Sequence, residues 1–75
     1  MTTPERRPIA TLQAPYRREI RLEEAVFESG MKMCRMVVRE GHRITQVDLD
    51  RETAAALGRH VSAWAAAQDA PEGGR

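Results

Sequence analysis

The stretch Met31-Lys32-Met33-Cys34-Arg35-Met36-Val37-Val38-Arg39-Glu40-Gly41-His42-Arg43-Ile44-Thr45-Gln46-Val47-Asp48-Leu49 decides the fold. Two runs rich in β-branched and apolar residues flank Gly41-His42, the pattern of a β-hairpin. A two-residue turn at Gly41-His42 sets Glu40 opposite Arg43, Val38 opposite Thr45, Met36 opposite Val47 and Cys34 opposite Leu49. One face is then apolar, while Arg35 meets Asp48 on the other. Side chains alternate with period two, so a one-residue slip would exchange the faces and is excluded.

The segment before this hairpin, from Glu19 to Glu28, opens in alternation with Ile20 and Leu22. A two-residue turn at Ser29-Gly30 would put Arg21 and Glu23 on the apolar face. A three-residue turn, Glu28-Ser29-Gly30, sets Leu22 opposite Met36, Ile20 opposite Val38 and Glu23 opposite Arg35. Gly30 then holds the last loop position, which requires a left-handed backbone. In this register Glu24 falls on the apolar face beside Cys34. It is either a buried carboxylate or is turned outward by a bulge.

After Asp50 the period becomes helical. Ala54, Leu57, Gly58, Val61, Trp64 and Ala65 share one stripe. Asp50 can cap the first turn, and Glu52 suits the positive end of the helix. Gly58 in mid-helix costs about 1 kcal/mol relative to alanine. It marks either close approach of the helix to the sheet or tolerated drift. The expected fold is α+β: a three-stranded antiparallel meander (17–28, 31–40, 43–49), then one helix (51–67) packed across the face of Ile20, Leu22, Cys34, Met36, Val38, Val47 and Leu49.

Residues 1–15 carry Pro4, Pro8 and Pro15 with few bulky apolar groups, and residues 69–75 have little to pack. Both read as flexible tails around a single domain, 16–68. A foldable part of about 50 residues lies where unassisted domains become marginal. Disulfides, a metal or another chain usually supply what is missing. Cys34 is the single cysteine, so no internal disulfide forms. With no apolar run for a signal peptide or a membrane span, a cytoplasmic protein is expected.

Twelve basic and eleven acidic residues leave a net charge of +1. Residues 1–43 hold nine basic and six acidic groups, and residues 44–75 hold three and five. This asymmetry falls short of the basic patch of a nucleic-acid binder.

Cys34, His42 and His60 are the soft metal-ligand candidates, and no ligand-pair spacing joins them. Cys34 reads as a core residue. Glu23 and Glu24 are adjacent on a strand, point to opposite faces and cannot work as an acid/base pair. No phosphate loop or nucleophile triad occurs. The expectation is no enzyme, no cofactor, no metal and no small-molecule substrate.

The sheet face away from the helix carries Arg21, Glu23, Arg35, Asp48 and Arg39 as a cross-strand lattice. Ala25, Phe27, Met31 and Met33 lie beside it near the first turn. That composition suits an interface core with an Arg rim, so Phe27, Met31, Met33, Ala25, Arg35 and Arg39 are the interface candidates. The bland reading is that the N-terminal tail covers them through Ile9, Leu12 and Tyr16. Gly30, Gly41, Asp50, Gly58, Leu57, Val61 and Trp64 are the structural positions.

The blocks Phe27-Glu28-Ser29-Gly30-Met31, Arg39-Glu40-Gly41-His42-Arg43 and Asp48-Leu49-Asp50, with Thr53-Ala54 and Trp64-Ala65, resemble a family of small uncharacterised bacterial proteins over roughly residues 16–66. The resemblance implies a free-standing small protein and carries no activity, cofactor or partner with it. The functional expectation is a non-catalytic protein-interaction module, either a homodimer or an accessory subunit of a larger complex. The alternative is weak nucleic-acid binding through the basic outer face and N-terminal tail. Against that, acidic residues are interleaved throughout, and Tyr16 and Phe27 are the aromatics available to stack.

Overall fold

The structure, a computed structural model, describes residues 5–68. Four strands and one helix follow in chain order: β1 (Glu5–Ala14), β2 (Arg18–Val26), β3 (Lys32–Glu40), β4 (Arg43–Leu49) and α1 (Arg51–Gln68). The strands form one antiparallel meander in the order β1-β2-β3-β4. The α+β class of a meander followed by a helix is therefore present, with one strand more than the sequence led us to expect.

Both inner hairpins adopt the register derived from the apolar pattern. Ile20 pairs with Val38, Leu22 with Met36, and Glu23 with Arg35. Cys34 pairs with Leu49, Met36 with Val47, and Glu40 with Arg43. Gly30 has φ +94°, and the Gly30 N–H donates to the Phe27 carbonyl at 2.8 Å. That is the turn-plus-left-handed residue of a three-residue hairpin loop. Gly41 has φ +62° and His42 has no positive φ, so the second turn is of the type that places glycine first.

The additional strand corrects the reading of residues 5–14 as part of a tail, while residues 1–4 lie outside the described residues. Residues 5–14 pair along the whole of β2, with Leu12 opposite Ile20 and Ala10 opposite Leu22. Pro8 and Pro15, two of the prolines that suggested disorder, occupy positions where a missing N–H is tolerated. Pro8 lies on an edge strand beside a register shift between Pro8 and Ala10, and Pro15 opens the β1–β2 turn. This N-terminal segment widens the sheet in its own plane and leaves the outer face uncovered. Its large apolar side chains remain exposed. The expected tail at 69–75 lies outside the described residues.

The second correction concerns the helix. Asp50 caps it as expected: Thr53 N–H donates to Asp50 Oδ1 at 2.8 Å, and Ala54 N–H to the Asp50 carbonyl at 2.9 Å. Yet α1 approaches only β3 and β4, and none of its residues is buried. Leu57, Val61 and Trp64, expected in the core, are exposed. A Cβ added at Gly58 would meet nothing within 4 Å, so close approach to the sheet does not explain that glycine. One residue, Asp50, joins β4 to α1, which ties the start of the helix to the edge strand while the rest stands off.

The consequence is an open fold. It measures 54 × 30 × 15 Å with a radius of gyration of 15.4 Å, against about 11 Å for a compact domain of this size. Ala25 is the one fully buried apolar residue among those described.

Candidate functional site: the groove between helix and sheet

Two surfaces merit a functional reading. The first is the outer sheet face, where the interface candidates lie. Glu23, Arg35 and Asp48 form a row across β2, β3 and β4. Arg35 donates from Nε to Asp48 Oδ1 at 2.9 Å and from Nη2 to Oδ2 at 3.0 Å. This bidentate bond, reinforced by the cation's charge, holds the Asp48 carboxyl below the usual carboxylate range, against the opposing effect of burial. Glu23 and Arg35, paired on the two central strands, are only 9 % exposed.

Ala25, proposed from sequence as a contact residue, is fully buried and can offer no area to a partner. Arg35 is committed to Asp48. Arg39 and Arg21 both lie 3.8 Å from Glu19. Phe27 and Met33 are half-buried, and Met31 is exposed. The structure thus brings Ala25, Phe27, Met31 and Met33 together near one end of the outer face as a small apolar corner, with Arg35 in the charged row beside them, while Arg39 lies opposite Glu19 toward the other end.

The second surface was missed. On the inner face, Leu12, Ile20, Leu22, Cys34, Met36 and Leu49 form the floor of a groove of about 430 Å³. Its wall is the helix stripe Ala54, Leu57, Gly58 and Val61. Sequence reasoning found every one of these residues except Leu12 and read them as a closed core. The available signal was Leu12 and Ala10 alternating with Thr11 and Gln13, which the neighbouring prolines obscured.

Ion pairs flank the groove floor at both ends. Arg18 and Glu40 pair at one end, where Arg18 also lies 5.8 Å from the Tyr16 ring centre. Arg7 Nη1 stands 3.9 Å from Glu24 Oε1 at the other. Glu24 therefore remains on the inner face opposite Cys34, and the strand irregularity falls in β1 instead of β2. The edge strand absorbs the extra residue, and Arg7 supplies the charge partner.

Cys34 is a free, half-buried thiol in the groove floor. Among the described residues no three or more His, Cys, Asp or Glu side chains are grouped to hold a metal ion. No helix among them is long and apolar enough to cross a membrane.

An antiparallel meander with an outlying helix and an apolar groove defines the class of protein. The chain belongs to a family of unknown function (DUF6967), whose model matches residues 3–67. No curated protein and no solved structure matches it.

Proposed function

We propose that this chain is a non-catalytic protein-interaction module, a self-associating protein or a small cytoplasmic subunit of a larger assembly, which docks through the helix–sheet groove. The observation that carries the reading is the groove itself. A sheet with one apolar face must bury that face against a second layer, and here the helix leaves much of it in water. The lining is aliphatic apart from the sulfurs of Cys34 and Met36. Such a surface contributes burial energy and shape, not proton transfer.

The outer face supports phosphate binding less well. Arg21 and Arg39 share Glu19, and Arg35 is held by Asp48. Nucleic acid would have to compete with these internal partners. A photocrosslinking amino acid at position 57, in the groove wall, tests the docking reading in the source cell. Discrete protein adducts are expected, and their loss when Ile20→Lys charges the floor. Absence of any adduct would overturn the proposal.

A further inference from the structure

We infer that the occupant of the groove is a second copy of this chain, with α1 of each copy laid over the open β1–β2 half of the other's inner face. This rests on the docking reading above and specifies its partner.

One molecule carries two unsatisfied apolar surfaces. The helix stripe exposes Leu57 by 39 %, Val61 by 56 % and Trp64 by 68 %. The floor exposes Leu12, on β1, by 52 %. The helix backbone approaches β3 and β4 but neither β1 nor β2. An apolar helix stripe lacks a sheet, and an apolar sheet half lacks a helix. Each is what the other requires, and a two-fold axis between copies satisfies both at once. Such an isologous contact closes on itself and stops at two chains.

The area agrees. Taking about 150–250 Å² for a large side chain, those four residues leave roughly 400 Å² of apolar surface open. The half-buried Ile20, Leu22, Met36, Val38 and Leu49 line the same face and add to it. The total approaches the roughly 800 Å² per partner of a standard stable interface. The arrangement is also that of an interface, apolar in the middle and polar at the rim. Arg18–Glu40 and Arg7–Glu24 close its ends as neutralised pairs. A net charge of +1 sets up little repulsion between copies.

Light scattering on the full chain at tens of micromolar should give twice the 8.4 kDa chain mass. Trp64 is the sole tryptophan and reports the contact without any substitution. Its emission should be blue-shifted in the dimer and move to the red on dilution through the dissociation range. Leu12→Glu and Val61→Lys lie on the two opposed surfaces, and each should weaken association by about 100-fold or more. Circular dichroism checks that both variants keep their fold, and Leu12→Thr and Val61→Thr replace any that does not.

Mixing the two variants is the decisive step. The mixed dimer keeps one contact wild type on both sides and sets lysine against glutamate in the other, so pairing should return. A wild-type chain of single mass with a dilution-independent Trp64 spectrum would overturn the inference. So would a dimer indifferent to both variants, or a mixture that fails to pair. If the wild-type chain is single while position 57 still crosslinks to a different protein in cells, this inference fails and the docking reading stands.

Discussion

Arg35 holds both oxygens of Asp48 across the β3–β4 pairing, at 2.9 and 3.0 Å, and so fixes the register of the edge hairpin from the outer face. The pair titrates. Hydrogen bonding to Arg35 lowers the folded-state carboxyl below its ordinary value, which in an unfolded chain is about 3.9. A lowered folded value means that its stabilisation is complete above the unfolded value and is lost as pH falls through the folded one. Asp48→Asn should therefore cost about 1 kcal/mol at neutral pH. In urea unfolding, the difference from wild type should close on acidification below the ordinary carboxylate range. A difference independent of pH would remove the charge from this account.

Glycine carries opposite consequences at two positions. Gly30 sits at φ +94°, where a side chain is strained, although its surroundings are empty. Gly30→Ala should destabilise the fold by about 1 kcal/mol. Gly58 is helical and equally uncrowded. Gly58→Ala, measured in a Val61→Lys background so that the single chain is read, should stabilise by up to about 1 kcal/mol. Thermal unfolding of both variants checks the pair of signs. Equal signs would mean that backbone conformation does not govern either site.

The contrast between these glycines also indicates what could be read from the residues. Period-two alternation from Ile20 to Leu49, with Gly30 and Gly41 as punctuation, specifies three strands and their register, because one slipped residue would invert the apolar face. The strand Glu5–Ala14 was illegible because Pro8 interrupts it, Pro15 follows it, and Ile9 and Leu12 are its only large apolar residues; pairing with β2 makes them a strand. Asp50 announced where the helix begins. The distance between that helix and the sheet was not encoded in any local pattern. The stripe of Leu57, Val61 and Trp64 looks the same whether it packs on its own sheet or stands apart from it, so the groove could not be distinguished from a core. On the outer face, the pairing of Arg35 with Asp48 was legible, whereas the burial of Ala25 was not.

The β1–β2 turn stores strain. Tyr16 and Arg17 both have left-handed backbones, with φ of 65° and 60°, a conformation that costs a non-glycine residue roughly 1–2 kcal/mol. Arg17 is exposed and makes none of the ion pairs found among the described residues. Arg17→Gly relieves the strain while loosening the unfolded chain, for a net gain of about 0.5–1 kcal/mol. A raised midpoint in urea is the expected reading. A lowered one would mean that the Arg17 side chain contributes more than its backbone costs.

Glu23 is the less secure member of the outer row. Its Oε1 is buried and no donor reaches it. Its neighbour across β1 is Pro8, which has no N–H, and Arg35 across β3 turns Nε and Nη2 to Asp48. Glu23 does reinforce the charge on Arg35, as an anion nearby must. A shielded carboxylate with an orphaned oxygen loses in desolvation much of what it gains from that attraction. Glu23→Met keeps the length and removes the charge, so its effect should lie between neutral and about 1 kcal/mol stabilising. Arg35→Met should cost about 2–3 kcal/mol, because it leaves two carboxylates without the cation between them. That cost should shrink in acid as Asp48 takes up a proton. Denaturant unfolding of the two single variants separates the roles: a larger loss from Glu23→Met than from Arg35→Met would make Glu23, not Arg35, the residue that holds the row together.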